Sequence, residues 1–577
     1  MRIIYYITIT FTILVIATGF SQSQEKFSDA VLHIIEENPQ SRIIAWIFFS
    51  DKETGLAEKL ANVENALTLA AYQRRLRNRG AGELVDEFDI PVSSSYLQQI
   101  SPFVWKIRHK SRWLNAVSVE AAGTALLEIA EFAFVLGIEE VVRYTRPEPL
   151  PADDVSPPQS ALGKSFALDY GASFTQNNIM NVPLLHERGL SGEGVTIAVL
   201  DAGFNNLQHP AFDQMDIRAS WDFVNNDENV DDQPGQQGSG SHGTNVLSCI
   251  GGFQEGQLIG PAFGATYLLA KTENTNSERR VEEDNWIAAA EWADSIGADI
   301  ISSSVAYREF DPGEGGYTSE DMDGQTAIVT IGAELAASRG ILVVNSIGNE
   351  GTPAPGENTL NAPADGANVL AVGAVNSLGQ RAGFSSMGPS ADGRIKPDVM
   401  AMGASVRMAS SSGNGYTSRS GTSFSCPLTA GAAALILEAN PGSTNQQIMG
   451  ALLETADNAA APNNSVGWGI IDALRASDFV ATGGILPSFG DGLKILQNYP
   501  NPFNNFTTFQ YNLPESADVK LVVYNIRGQK VETLVNRFQS AGGRTAIWSP
   551  ENTASGIYII ALTANGESAG RKVVYVR

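Results

Sequence analysis

Three short stretches carry side chains that could together activate a hydroxyl. Ser423 lies in Ser420-Gly421-Thr422-Ser423-Phe424-Ser425-Cys426-Pro427, just before the small and apolar run Leu428 to Leu437. That run reads as a buried helix, which places Ser423 at its N-terminus. Unpaired N–H groups and the helix dipole favour negative charge there, and a carbonyl attacked by serine becomes an oxyanion. Taken alone, the pattern fits an ordinary serine helix cap better. Two further stretches shift that balance. Gly194 to Gly203 is a short apolar strand ending in Asp201, and Ser241-His242-Gly243-Thr244 places a histidine just before a helical pattern. Asp, His and Ser are the orienter, base and nucleophile of an acyl-transfer system, whatever their chain order. Each sits at a strand end or a helix start, where open α/β sheets carry their sites.

The blocks Val199-Leu200-Asp201-Ala202-Gly203, His242-Gly243-Thr244, Asn345-Ser346-Ile347-Gly348-Asn349-Glu350-Gly351 and Gly421-Thr422-Ser423 resemble, in the same order, those of the subtilisin-like serine peptidases. The resemblance spans roughly residues 169 to 480. It implies a mostly parallel sheet flanked by helices and hydrolysis of peptide bonds. It also implies Ser423 as nucleophile, His242 as base, Asp201 as orienter, and Asn349 with the Ser423 N–H as oxyanion donors. Ser304-Val305-Ala306 stands where the family's substrate-binding strand usually ends Ser-Leu-Gly, so Ala306 narrows the specificity pocket. Leu428 replaces the histidine that commonly follows the helix proline, outside the triad. Of the five histidines, His209 before Pro210 reads as structural, and His33, His109 and His186 lie outside the motifs.

No cofactor is implied. The loop Asn225 to Asp232 offers hard oxygens, with Asp227, Asp231 and Asp232 as weak candidates for a structural calcium ion. Its spacing is not that of an EF-hand, and such loops are usually solvated, so no metal is assigned. A surface adhesin that keeps the fold without activity is the alternative from another class, weakened because all four chemical positions are filled. An aspartic peptidase would need a second carboxylate motif, and a metallopeptidase His-Glu-x-x-His; neither is present.

The surrounding chain sets the context. With 577 residues there is room for several domains. A net charge of -25, concentrated in residues 151–482, argues against binding nucleic acid. Met1-Arg2, an apolar stretch to Phe20 and a polar exit read as a signal peptide over residues 1–23. Only two cysteines occur, Cys249 and Cys426, read as buried thiols near the site, with a bridge between them left open.

Residues 25–150 form a separate domain in this reading. It has strands at 42–49 and 134–144, an alternating stretch at 104–119, and helices at 55–78 and 120–132. This is an α/β plait, and Arg74, Arg75, Arg77 and Arg79 suit a helix C-terminus. Ser111 to Ser118 resembles a segment of subtilase propeptides, implying a folding assistant and inhibitor removed on maturation. Residues 151–168 are a Pro- and Asp-rich linker and maturation region, and 169–482 the peptidase domain. After a glycine-rich linker at 483–492, residues 493–577 read as an antiparallel β-sandwich. Within them Gln497 to Asn504, Tyr524 to Gln529 and Gly556-Ile557-Tyr558 resemble the sorting domain of type IX secretion. That implies export through periplasm and outer membrane, to the surface or the medium, by a monomeric enzyme acting on proteins or peptides.

Overall fold

A computed structural model describes residues 25–141, 166–238, 240–274, 281–308 and 316–482, and most of 493–575. The leader at 1–23, most of the linker at 151–168, the linker at 483–492 and the Pro500 to Asn504 part of the tail motif lie outside the described residues.

The N-terminal domain is a four-stranded antiparallel sheet in the order Val104–Ser111, Ala116–Ala122, Arg42–Phe49, Val135–Glu140. Helices Asp29–Glu37 and Gly123–Ala130 cover one face, burying Val31, Ile35, Leu126 and Ile129 against Ile43, Ala45, Ile47 and Val119. This is the expected plait, with two local differences. The predicted helix at 55–78 is two helices, Leu56–Ala66 and Leu69–Arg79. The chain turns extended at Leu67, and the Thr68 hydroxyl caps the second helix by accepting from Ala71 N–H. Glu120, predicted to open a helix, lies in a strand instead, where Arg42 and Arg108 pair with it. Cross-strand charge pairing outweighs the helix preference of Glu-Ala-Ala.

The next region is built on seven parallel strands, in the order Val399–Met402, Val369–Val375, Leu342–Ser346, Ile300–Ser303, Thr196–Asp201, Thr266–Lys271, Asp216–Asp222. Helices cover both faces, so the central strands are buried on both sides and read as unbroken apolar runs. Ile197 and Val199 face helices His242–Gly251 and Thr422–Ala439. Ala198 and Leu200 face helices Val281–Ile296 and Ile328–Ser338. The second pair of helices also supports the N-terminal domain: Trp113 inserts into their layer, and Trp46 and Ile44 pack on Val281.

The C-terminal unit is a sandwich of two antiparallel sheets. One holds Lys494–Tyr499, Thr507–Leu513 and Gly542–Trp548; the other holds Lys530–Gln539, Ala517–Asn525, Gly556–Ala564 and Glu567–Tyr575. Phe509, Tyr511, Leu521, Trp548, Ile560 and Val573 fill its core.

Candidate active site

Asp201 ends its strand, His242 opens one helix and Ser423 is the second residue of another. The histidine helix approaches the aspartate strand so closely that only glycine fits at the contact. A Cβ on Gly243 would lie 2.5 Å from the Gly203 carbonyl oxygen and 3.1 Å from Asp201 Cβ. Asp201 is fully buried. Its Oδ1 accepts from Ala202 N–H at 2.7 Å and from His242 Nδ1 at 2.8 Å, while its Oδ2 is buried without a partner among the described residues. A carboxylate acceptor at Nδ1 puts the hydrogen there and leaves Nε2 able to take a proton. Phe424, next to Ser423, sets its ring 5.6 Å from the imidazole, centroid to centroid.

Ser423 is buried, and its hydroxyl lies 3.4 Å from the Ser304 carbonyl oxygen. No hydrogen bond joins it to His242 among the described residues. Four positions on, Pro427 has no N–H to give the Ser423 carbonyl. Ser304 Oγ donates to that carbonyl instead, at 2.9 Å. Asn349 is exposed, and its carboxamide oxygen accepts from Thr422 N–H at 2.9 Å, with the Thr422 hydroxyl 3.1 Å away. The Asn349 amide nitrogen is thereby left as a donor beside the helix N-terminus.

Ser304 and Val305 are buried, and Ala306 is partly exposed, directly after strand Ile300–Ser303. His209 is fully buried, its Nε2 2.9 Å from the Gly415 carbonyl oxygen, away from the triad residues. Cys249 and Cys426 are free and buried, and burial pushes the Cys426 thiol up to about 12. The carboxylates of Asp227, Asp231 and Asp232 accept from donors of their own neighbourhood: Asn229 N–H, Gln236 Nε2, Asp232 N–H, Asn205 Nδ2 and Gly240 N–H. Among the described residues no group of three His, Cys, Asp or Glu is arranged to hold a metal ion. Sequence reasoning missed Thr422 as the residue orienting Asn349, Phe424 against the imidazole, and the Ser304 hydroxyl. The proline four residues after Ser423 was the available signal for the last of these.

Comparison with known proteins bears on three parts of the chain. The family model for the subtilase family matches residues 192–469. That for the peptidase S8 propeptide domain of Bacteroidota matches residues 44–153. That for the secretion system C-terminal sorting domain matches residues 497–576. Subtilisin from Bacillus pumilus is 36% identical over 280 residues, 48% of this chain and 89% of its own length. Subtilisin E from Bacillus subtilis (strain 168) is 36% identical over 279 residues, 48% of this chain and 64% of its own length. Among solved structures, the prenylagaramide maturation protease PagA is 25% identical, with a TM-score of 0.41, covering 52% of this chain and 97% of its own. The C-terminal domain indicates export by type IX secretion, to the cell surface or the medium. Together with its propeptide domain, the likeness to the Bacillus enzymes shows that the chain belongs to the subtilase family, as a subtilisin-like serine endopeptidase.

Proposed function

We propose that the chain hydrolyses peptide bonds of proteins through an acyl-enzyme on Ser423. The observation that carries this reading is the 2.8 Å contact of His242 Nδ1 with the buried Asp201 carboxylate, which leaves Nε2 as the free base. Ser423 Oγ rotates away from the Ser304 carbonyl and attacks the substrate carbonyl carbon, and its proton passes to Nε2. The oxyanion is held by the Ser423 N–H and the Asn349 amide. Collapse expels the amine, which takes the proton from His242. Water then repeats the sequence and releases the acid. Asp201 keeps the imidazole tautomer and stabilises its cation. Ser304, Val305 and Ala306 line the substrate strand, with Ala306 narrowing the pocket.

Written so, the chemistry needs no cofactor. A structural calcium ion at Asp227, Asp231 and Asp232 is a separate proposal, and a melting temperature unchanged by chelation removes it. The enzyme is proposed to act as a monomer on protein or peptide substrates, with no nucleic-acid partner. Its propeptide inhibits it until maturation, and the tail is removed after passage through periplasm and outer membrane. The test is stoichiometric labelling of the matured protein by a fluorophosphonate. Labelling and casein hydrolysis that both vanish in Ser423→Ala support the reading. Matured protein that does not label leaves a silent adhesin in its place.

A further inference from the structure

The helix Leu69–Arg79 of the N-terminal domain reaches a part of the catalytic domain away from Asp201, His242 and Ser423. It docks at Gly297 to Asp299 and at Arg339-Gly340, which precede strands Ile300–Ser303 and Leu342–Ser346. Ser304 and Gly348 lie beyond the far ends of those strands, about 15 Å from Asp299 and about 25 Å from Gly340 at the usual rise per residue. Arg74 is fully buried there. Its guanidinium donates to the carbonyls of Ala298 at 2.7 Å and Arg339 at 3.1 Å, and to the Asp294 carboxylate. It thus serves carbonyls just past the C-terminal ends of helices Val281–Ile296 and Ile328–Ser338, where the chain leaves backbone acceptors that the helices do not satisfy.

Asp294 also accepts from Arg75 at 2.7 Å and from Arg112 at 2.7 Å. Across the same contact, Arg339 of the catalytic domain reaches Asp86 at 3.0 Å and Asp89 at 3.2 Å. The backbone is shaped for the helix as well. A Cβ on Gly297 would lie 2.4 Å from Ala70 Cβ, and one on Gly340 would lie 2.4 Å from Asn78 Nδ2. Asn78 in turn accepts from Asn445 N–H at 2.8 Å, and Arg77 pairs with Asp299 at 2.8 Å.

We propose that Asp294, Gly297, Arg339 and Gly340 form a recognition site for a basic helix, separate from the cleft, that sets how tightly and how selectively the catalytic domain holds its own propeptide. The proposal rests on the reading of the N-terminal domain as a propeptide detached on maturation. Selectivity follows from the pairing. A propeptide lacking Arg74 or Arg75 leaves buried Asp294 under-compensated, and one lacking Asp86 and Asp89 leaves Arg339 without its carboxylate partners.

The test uses the full chain carrying Ser423→Ala, with a recognition sequence for an unrelated site-specific protease placed in the linker at 151–158. The protein is immobilised through its C-terminus, cut in the linker, and the wash-off of the N-terminal domain is timed. Arg74→Met and Asp294→Leu are each expected to speed release about a hundredfold, with the double variant well short of the product. Trp105→Ala, on an exposed side chain of the same domain, is expected to leave release unchanged. Parent-like release in both charge variants overturns the proposal. Where those variants do not fold, Arg77→Gln is read instead at the half-buried rim. Faster, salt-dependent release supports the site, and parent-like release overturns it. Because Ser423 is absent throughout, failure of the catalytic reading would leave these rates untouched and would show only in fluorophosphonate labelling.

Discussion

Asp201 and Asp294 are both buried carboxylates of the catalytic domain, and they are treated in opposite ways. Asp201 meets one imidazole and one backbone N–H, and its second oxygen has no partner among the described residues. Asp294 meets three arginines, with both oxygens taken. Around Asp201 the arrangement is unfinished in the same sense: His242 Nε2 and the Asn349 amide have no protein partner among the described residues. Open valences at a buried site cost stability and are what a reacting substrate can complete. A saturated cluster does the reverse: it contributes holding and leaves nothing to offer a reactant. Under the two proposals above, the difference separates a group placed for chemistry from one placed for attachment, although burial alone ranks them equal.

That contrast can be broken by exchanging charge for shape at each aspartate. Asp201→Asn is expected to fold with parent-like stability and to lose about ten-thousandfold in kcat, the size of effect known for the equivalent change in other triad enzymes. Rates on a chromogenic peptide, beside a melting curve, check it; a large stability loss with modest rate loss would erase the distinction. Asp294→Asn is expected to cost the uncut chain about 3 kcal/mol, as breaking a buried charge pair does. Denaturant unfolding of the uncut chain carrying Ser423→Ala measures that cost, and labelling of Ser423 per folded molecule of the matured protein should stay at the parent level.

Asp284 sharpens the comparison from a third position. Burial pushes its carboxyl up to about 7, although Ser118 donates to it at 2.5 Å. A carboxyl raised in the fold favours the folded state while protonated. Its contribution is full below about 4 and is lost as pH rises through about 7. Asp284→Asn cannot titrate, so its stability relative to the parent should climb between those pH values and then level. Parallel melting curves across the range would show that Asp284 is ionised in the fold. His109, pushed down to about 4 by burial beside Asn285, works in the other sense: its contribution is lost as pH falls from about 6.5 through about 4. Subtracting parent from variant isolates Asp284. The smallest effect is expected at Arg188, whose pair with Asp478 is solvent-exposed; Arg188→Ala should change stability by less than about 1 kcal/mol.

How much of this was legible in the sequence depends on the distance between partners along the chain. The strand ending in Asp201, the helix opening at His242 and the helix opening just before Ser423 are local patterns, and each is where its residues predict. The parallel strands are equally plain because burial on both faces removes polar alternation. Arg74 and Arg75 show the limit. In the sequence their position suits a helix C-terminus; in the structure they lie mid-helix, and their partner Asp294 is about 220 residues away, with nothing in either neighbourhood to announce the other. The break at Leu67-Thr68 was missed because apolar spacing continues across it, while a single capping hydroxyl decides the conformation. Thr422 was inside a recognised block, but its hold on Asn349 is a tertiary contact between segments 73 residues apart.

Pro427 has a mechanical consequence. By withholding one hydrogen bond from within its own helix, it lends the first turn's carbonyl to the neighbouring strand through Ser304. Ser423 and the segment that follows strand Ile300–Ser303 are therefore yoked together. Under the proposed acyl-enzyme reading, a peptide that pushes on that segment also pushes on the serine, so a poorly seated chain carries its own misalignment to the point of attack.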